Sequence, residues 1–150
     1  MILYRIAKCN YVADLSGTGA RLYGGRWNSV GRSMVYLASN RSLAVLEVLV
    51  HLSPAIFPAN FCLAEFDVPL ANIITLMPDE LPHNWQDILS PNQLKKTGDE
   101  FLKQQKGLLL KVPSAIVPEE FNYLINPLHP DASKIKLIKQ QPFSFDERLV

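Results

Sequence analysis

The chain has 150 residues, 48% of them hydrophobic, with 19% charged residues and a formal net charge of +1. That balance suits one domain spanning 1–150 with a sizeable core, and it argues against a general nucleic-acid binder. No run approaches a membrane span and MILYRIAKCN lacks the apolar core of a secretion signal, so no membrane association and a cytoplasmic protein are expected.

The charge is unevenly placed. Residues 1–50 carry Lys8 and five arginines (Arg5, Arg21, Arg26, Arg32, Arg41) against Asp14 and Glu47, and Arg148 is the sole arginine after them. Arginine suits planar, bidentate contact with phosphate or carboxylate, so the first third is the part prepared for an anion. Cys9 and Cys62 have no paired spacing, which predicts neither a disulfide framework nor a zinc knuckle. His51, His83 and His129 are scattered, and no metal is expected.

In chain order, Ile2 to Ala7 alternates as a first strand. Asp14 to Gly25 (DLSGTGARLYGG) is polar and glycine-rich and is expected to be a loop. Its GxG is followed by Leu22 where a third glycine is required, so the dinucleotide fingerprint fails. Ser33 to Ala38 is a buried strand, and Ser39 or Asn40 caps a helix running to about Leu52. Asn60 to Val68 places Cys62, Ala64, Phe66 and Val68 on one face and Glu65 and Asp67 on the other. It is expected to pair, half-exposed, with 72–76.

Residues 78–90 have no clear period beyond one helical turn, with Trp85 as a core plug. Pro91 to Lys106 is helical, with Gly107 just past its end. Leu108 to Val112 and Ala115 to Val117 are apolar runs about Pro113 and Ser114, a pair that predicts a kink re-aiming Ser114. The plainer outcome for that serine is a hydroxyl satisfied by neighbouring backbone. Glu119 and Glu120 form a solvated turn before Phe121 to Asn126, and Pro127 to Pro130 is a rigid connection. Lys134 to Lys139 is a lysine-protected edge strand, and the tail is expected to add one more strand.

Glu47 is the anomaly of the helix from residue 40. It shares the stripe of Leu43, Leu46 and Val50, where a carboxylate faces the core or a cleft or else lies at a rim with its head in water. A buried carboxylate needs a partner, and Arg26 and Tyr36 are the nearest candidates. His51, at the helix end, suits an interaction with the helix dipole and is left out of the site.

Three separated blocks, DLSGTGARLYGGRWN (Asp14 to Asn28), MVYLASNRSLAVLEVLVHL (Met34 to Leu52) and VPSAIVPEEFNYLINPLHPD (Val112 to Asp131), resemble the RES-domain toxins of bacterial toxin–antitoxin pairs in order and spacing. The resemblance makes Arg26, Glu47 and Ser114 the catalytic triplet that names the family. It places Arg5, Arg26, Tyr36 and Asn126 in contact with substrate, and finds no counterpart for residues 78–106. It implies an α+β fold of mostly antiparallel sheet with a few helices, similar to ADP-ribosyltransferases. It also implies NAD as substrate, and a partner antitoxin with a helix-turn-helix part that covers the site in a heteromeric complex.

The chemistry agrees with that assignment. Cleaving the nicotinamide–ribose bond develops positive charge on the ribose, which a carboxylate such as Glu47 stabilises. Arg26 suits the pyrophosphate or a resting pair with Glu47, Tyr36 suits stacking on nicotinamide, and Ser114 suits orienting the carboxylate. The acceptor decides the outcome: water gives a glycohydrolase, inorganic phosphate a phosphorylase and a protein side chain a mono-ADP-ribosyltransferase. A non-catalytic module holding nucleotide or RNA phosphate is the alternative from another class.

Overall fold

The computed structural model describes residues 1–70 and 72–150. The apolar runs become strands β1 (Ile2–Lys8), β2 (Val35–Ala38), β3 (Phe61–Asp67), β4 (Ile73–Thr75), β5 (Leu109–Pro113), β6 (Phe121–Ile125) and β7 (Lys136–Phe143). Among the described residues three α-helices join them: α1 (Thr18–Tyr23), α2 (Arg41–Leu49) and α3 (Asn92–Gln104). The strands form one sheet in the order β4-β5-β6-β2-β1-β3-β7. All neighbours are antiparallel except β4 and β5. The expected α+β class with mostly antiparallel sheet is therefore what the chain adopts.

Side-chain alternation sorts the core into layers. Leu3, Val35, Leu37, Ala64, Phe66, Leu109 and Ile125 pack together on one face of the sheet. On the other, α2 lays Leu43 and Ala44 against Ile6, Ala38 and Leu63. Beside it, α3 lays Leu94, Phe101 and Leu102 against Leu110, Val112 and Leu124. Asn40 caps α2 as expected, its side chain accepting from the Leu43 N–H. Trp85 is buried in the α3 layer, the core plug foreseen for it.

The sheet is nearly split along its middle. β1 runs beside β3 over seven paired positions, yet meets β2 at the single pair Tyr4–Ala38. β4-β5-β6-β2 and β1-β3-β7 are thus two half-sheets that diverge from one contact, and α2 lies over the fork.

Several expectations are corrected. The segment 14–25 holds α1, between Gly17 and Gly24, both at positive φ. β3 is flanked by β1 and β7, so Phe61 and Leu63 on its second face are buried too, and it is not half-exposed. β4 pairs with β5 instead, in parallel. Residues 115–117 form no strand, and the tail ends in a 3-10 turn, Glu147–Leu149. Cys9 and Cys62 are joined in a disulfide, because the β1–β3 ladder that sets Ala7 opposite Cys62 brings their Cα atoms to 4.8 Å. Fifty-three residues separate them in sequence, so linear spacing carried no sign of the pair.

Candidate active site

Pro113 ends β5 and turns the next residue inward, so Ser114 is fully buried beneath α2. Its Oγ accepts from the backbone N–H of Ile116 and of Val117, each at 3.1 Å, and donates to Glu47 Oε1 at 2.7 Å. Both outcomes foreseen for this serine therefore hold at once. Asn122, across the turn on β6, donates from Nδ2 to the same Oε1 at 2.6 Å. The same turn also grips the start of α2, because Asn40 donates to the Glu120 carboxylate. Residues 114–122 thus fasten α2 at both its cap and its carboxylate.

Arg26 stands on the turn after α1. Its Nη1 donates to the carbonyls of Trp85 at 2.8 Å and Asp87 at 3.0 Å. The expected resting pair with Glu47 is not formed: the arginine spends that nitrogen on backbone oxygens of 78–106 instead. Burial lowers its pKa, and the charge of Glu47 acts in the opposite direction. The two groups therefore share one electrostatic environment without touching.

Tyr36, on β2, donates from its hydroxyl to Asn28 Oδ1 at 2.6 Å and accepts from the Trp27 N–H at 3.2 Å. Burial drives its pKa well above the ordinary phenol value. Asn28 is itself buried, with Nδ2 directed to the carbonyls of Ala20 and Arg32. Gly25 is required here, since a Cβ would fall 2.6 Å from the Tyr36 hydroxyl.

These residues surround a cleft of about 760 Å³ lined by Arg26, Trp27, Tyr36, Glu47, Ser90 and Asn122 among others. A volume of that order holds a small-molecule ligand. A second cavity, of about 270 Å³, opens at the fork between the half-sheets and shares Tyr36, Glu47, His51 and Asn122 with the first. Arg5 lines the second cavity and donates from Nη1 to the Asp14 carbonyl at 2.5 Å. Five of the six expected residues thus gather around the two cavities, Ser114 from beneath through Glu47. Asn126 does not. It is buried, donates to the Leu102 carbonyl and accepts from the Leu128 N–H, so it joins β6 to the end of α3.

A family model for the RES domain matches residues 2–146. The chain belongs to the RES-domain family. The match runs through all the described strands and helices, including the 78–106 segment that supplies the wall behind Arg26. This RES chain is 43% identical over 152 residues to a protein of Photorhabdus laumondii named "Toxin Res", covering 100% of this chain and 97% of that one. It is 45% identical over 140 residues, 91% of this chain and 87% of the other, to a Sphingobium protein named "Prs ADP-ribosylating toxin". In solved structures, the RES fold recurs in the M. tuberculosis MbcT–MbcA toxin–antitoxin complex. The likeness covers 95% of this chain and 84% of that one, at a TM-score of 0.79 and 20% identity.

Asn122, Asn28 and Asp99 are the site residues that sequence reasoning missed. Asp99, on α3, accepts from both the N–H and the hydroxyl of Ser29, at 3.0 and 2.6 Å, and holds the Arg26 turn in place. A short polar side chain inside an apolar strand, as at Asn122, was the one signal available. Asn28 and Asp99 sit among polar neighbours and carried none.

Proposed function

We propose that this chain is the toxin of a toxin–antitoxin pair, one RES domain acting in the cytoplasm, and that it cleaves NAD at the nicotinamide–ribose bond. The observation that carries this is Glu47, held by Ser114 and Asn122 where the two cavities meet. A fixed carboxylate beside the ribose stabilises the positive charge that develops there as the bond breaks.

Nicotinamide in NAD already bears the positive charge, so it departs with the bonding electrons as a neutral base and needs no acid. An acceptor oxygen then bonds to the ribose carbon and releases its proton. Glu47 is the catalytic residue, Arg26 binds the pyrophosphate through Nη2 and Nε, and the Tyr36 ring offers a face to nicotinamide. Ser114 acts through Glu47: its single proton and both lone pairs are committed, so it is an orienting donor and not a nucleophile. Arg5 reaches the substrate from the second cavity.

NAD loss by purified protein, followed as nicotinamide release with and without phosphate, tests this. Glu47→Gln is expected to keep the fold and lower the rate by about 10²- to 10³-fold, the usual effect of deleting one transition-state stabiliser. Undiminished NAD loss in folded Glu47→Gln overturns it. The name of the Sphingobium relative favours a second reading, transfer of ADP-ribose to a protein. Label from NAD appearing on one protein of a cell extract, with little free ADP-ribose, supports that second reading, and free product alone excludes it.

The partner we propose is an antitoxin with a helix-turn-helix part that covers the cleft. The rim supports it, since Tyr23, Val50, Ile88 and Leu89 line the cleft mouth with large apolar side chains exposed to solvent. Large exposed apolar side chains gathered around one cleft are characteristic of an interaction site.

A further inference from the structure

The carboxylate of Glu47 is held asymmetrically. Both side-chain donors that reach it end on Oε1, Ser114 at 2.7 Å and Asn122 at 2.6 Å. Among the described residues no donor reaches Oε2. The terminal torsion of a glutamate is soft, so one hydrogen bond leaves the carboxylate plane free to rotate. Two donors on one oxygen, arriving from the end of β5 and from β6, fix that plane and leave the second oxygen for the ligand.

We propose that Asn122 is a positioning residue for the NAD cleavage assigned above, and that it sets the direction in which Glu47 Oε2 faces the ribose. The inference rests on that assignment. Asn122 is not needed to hold its strand, because its backbone already pairs with Ala38 on one side and Val112 on the other. Its side chain instead borders both cavities. An amide suits the task where an acid does not. It presents N–H donors at every working pH, whereas an ionised aspartate has none and repels the glutamate. Ser114 cannot take over, since its one proton is already given to Glu47.

The test is kcat and KM for NAD in the wild type, Asn122→Ala and Asn122→Asp, alongside the side-chain amide resonance of Asn122 in the ligand-free protein. Asn122→Ala is expected to lower kcat by about 10- to 100-fold, as misplacement of a reacting group does. KM should change by less than about threefold. Asn122→Asp should fall at least as far. The amide resonance should shift on Glu47→Ala, which reports the contact without any turnover. Wild-type kcat in Asn122→Ala, a change confined to KM, or an amide resonance indifferent to Glu47→Ala would each overturn the inference. A wild type inert toward NAD, with the resonance still coupled to Glu47, would instead overturn the assigned reaction and keep the contact.

Discussion

The hydroxyl of Tyr36 is the site's most committed phenol. It donates to Asn28 and accepts from the Trp27 backbone, and burial pushes its pKa upward. The folded state therefore holds this proton more tightly than the unfolded chain does. Its contribution to stability is complete below about pH 10, the unfolded value, and is lost as pH rises beyond it. Tyr36→Phe leaves Asn28 Oδ1 and the Trp27 N–H without a partner, at a cost of about 1–3 kcal/mol. Denaturation at pH 8 and at pH 11 should show that penalty at the lower pH and a smaller difference at the higher one. Glu47 was legible in the sequence because a carboxylate on an apolar helical stripe is a mismatch that composition exposes. Which residues answer it was less so. Arg26 was expected and bonds elsewhere, while Asn122 shows in FNYLIN only as a polar residue in an apolar strand, a signal that does not say its amide turns to a helix.

Among the elements, α3 does the work that the sequence concealed. Its Gly98 meets the backbone of Trp27 so closely that a Cβ would fall 1.7 Å from the Trp27 carbonyl oxygen. Alanine is favoured over glycine within a helix by about 1 kcal/mol. Overpacking a fixed contact costs about 1–3 kcal/mol, and here the obstacle is backbone that cannot turn aside. Gly98→Ala should therefore lower the melting temperature, and it should raise KM for NAD by displacing the Arg26 turn. A stabilised protein with unchanged kinetics would show that α3 merely rests on the turn. The helix itself was readable from the proline at its start and the glycine just past its end, but its contact with Trp27 is tertiary and leaves no local trace. α1 was lost for the opposite reason: it buries no residue and lies between glycines, so it shows neither period nor cap. β4 was placed correctly along the chain but given the wrong neighbour, since parallel pairing across an intervening helix has no turn to announce it.

For the molecule as a whole, the Cys9–Cys62 bridge ties the end of β1 to the start of β3 across 53 residues. By loop-closure entropy a loop of that size adds about 4 kcal/mol to the oxidised form. Denaturation with and without a thiol reductant should separate the two forms by that order, and Cys9→Ser should abolish the difference. Under reducing conditions the bridge opens and the β1–β3 ladder is left to hold the pair in register. Most strands and two of the helices were readable from apolar runs and punctuating residues, and the α+β class was what the family resemblance implied, but the division of the sheet was not legible, because it depends on how far β1 and β2 fail to pair.

That division has a consequence for how the protein can come apart. One half-sheet is made of β1, β3 and β7 and the other of β2, β4, β5 and β6, so the backbone crosses between them four times, before β2, β3, β4 and β7. Neither half is a continuous stretch of chain. An end-to-end fusion of two pieces does not produce this strand order, and no single cut yields a fragment owning one side of the cleft. Where the β1–β2 ladder narrows to one pair, the two halves are held instead by the side chains packed across the line and by the covalent chain that crosses it repeatedly.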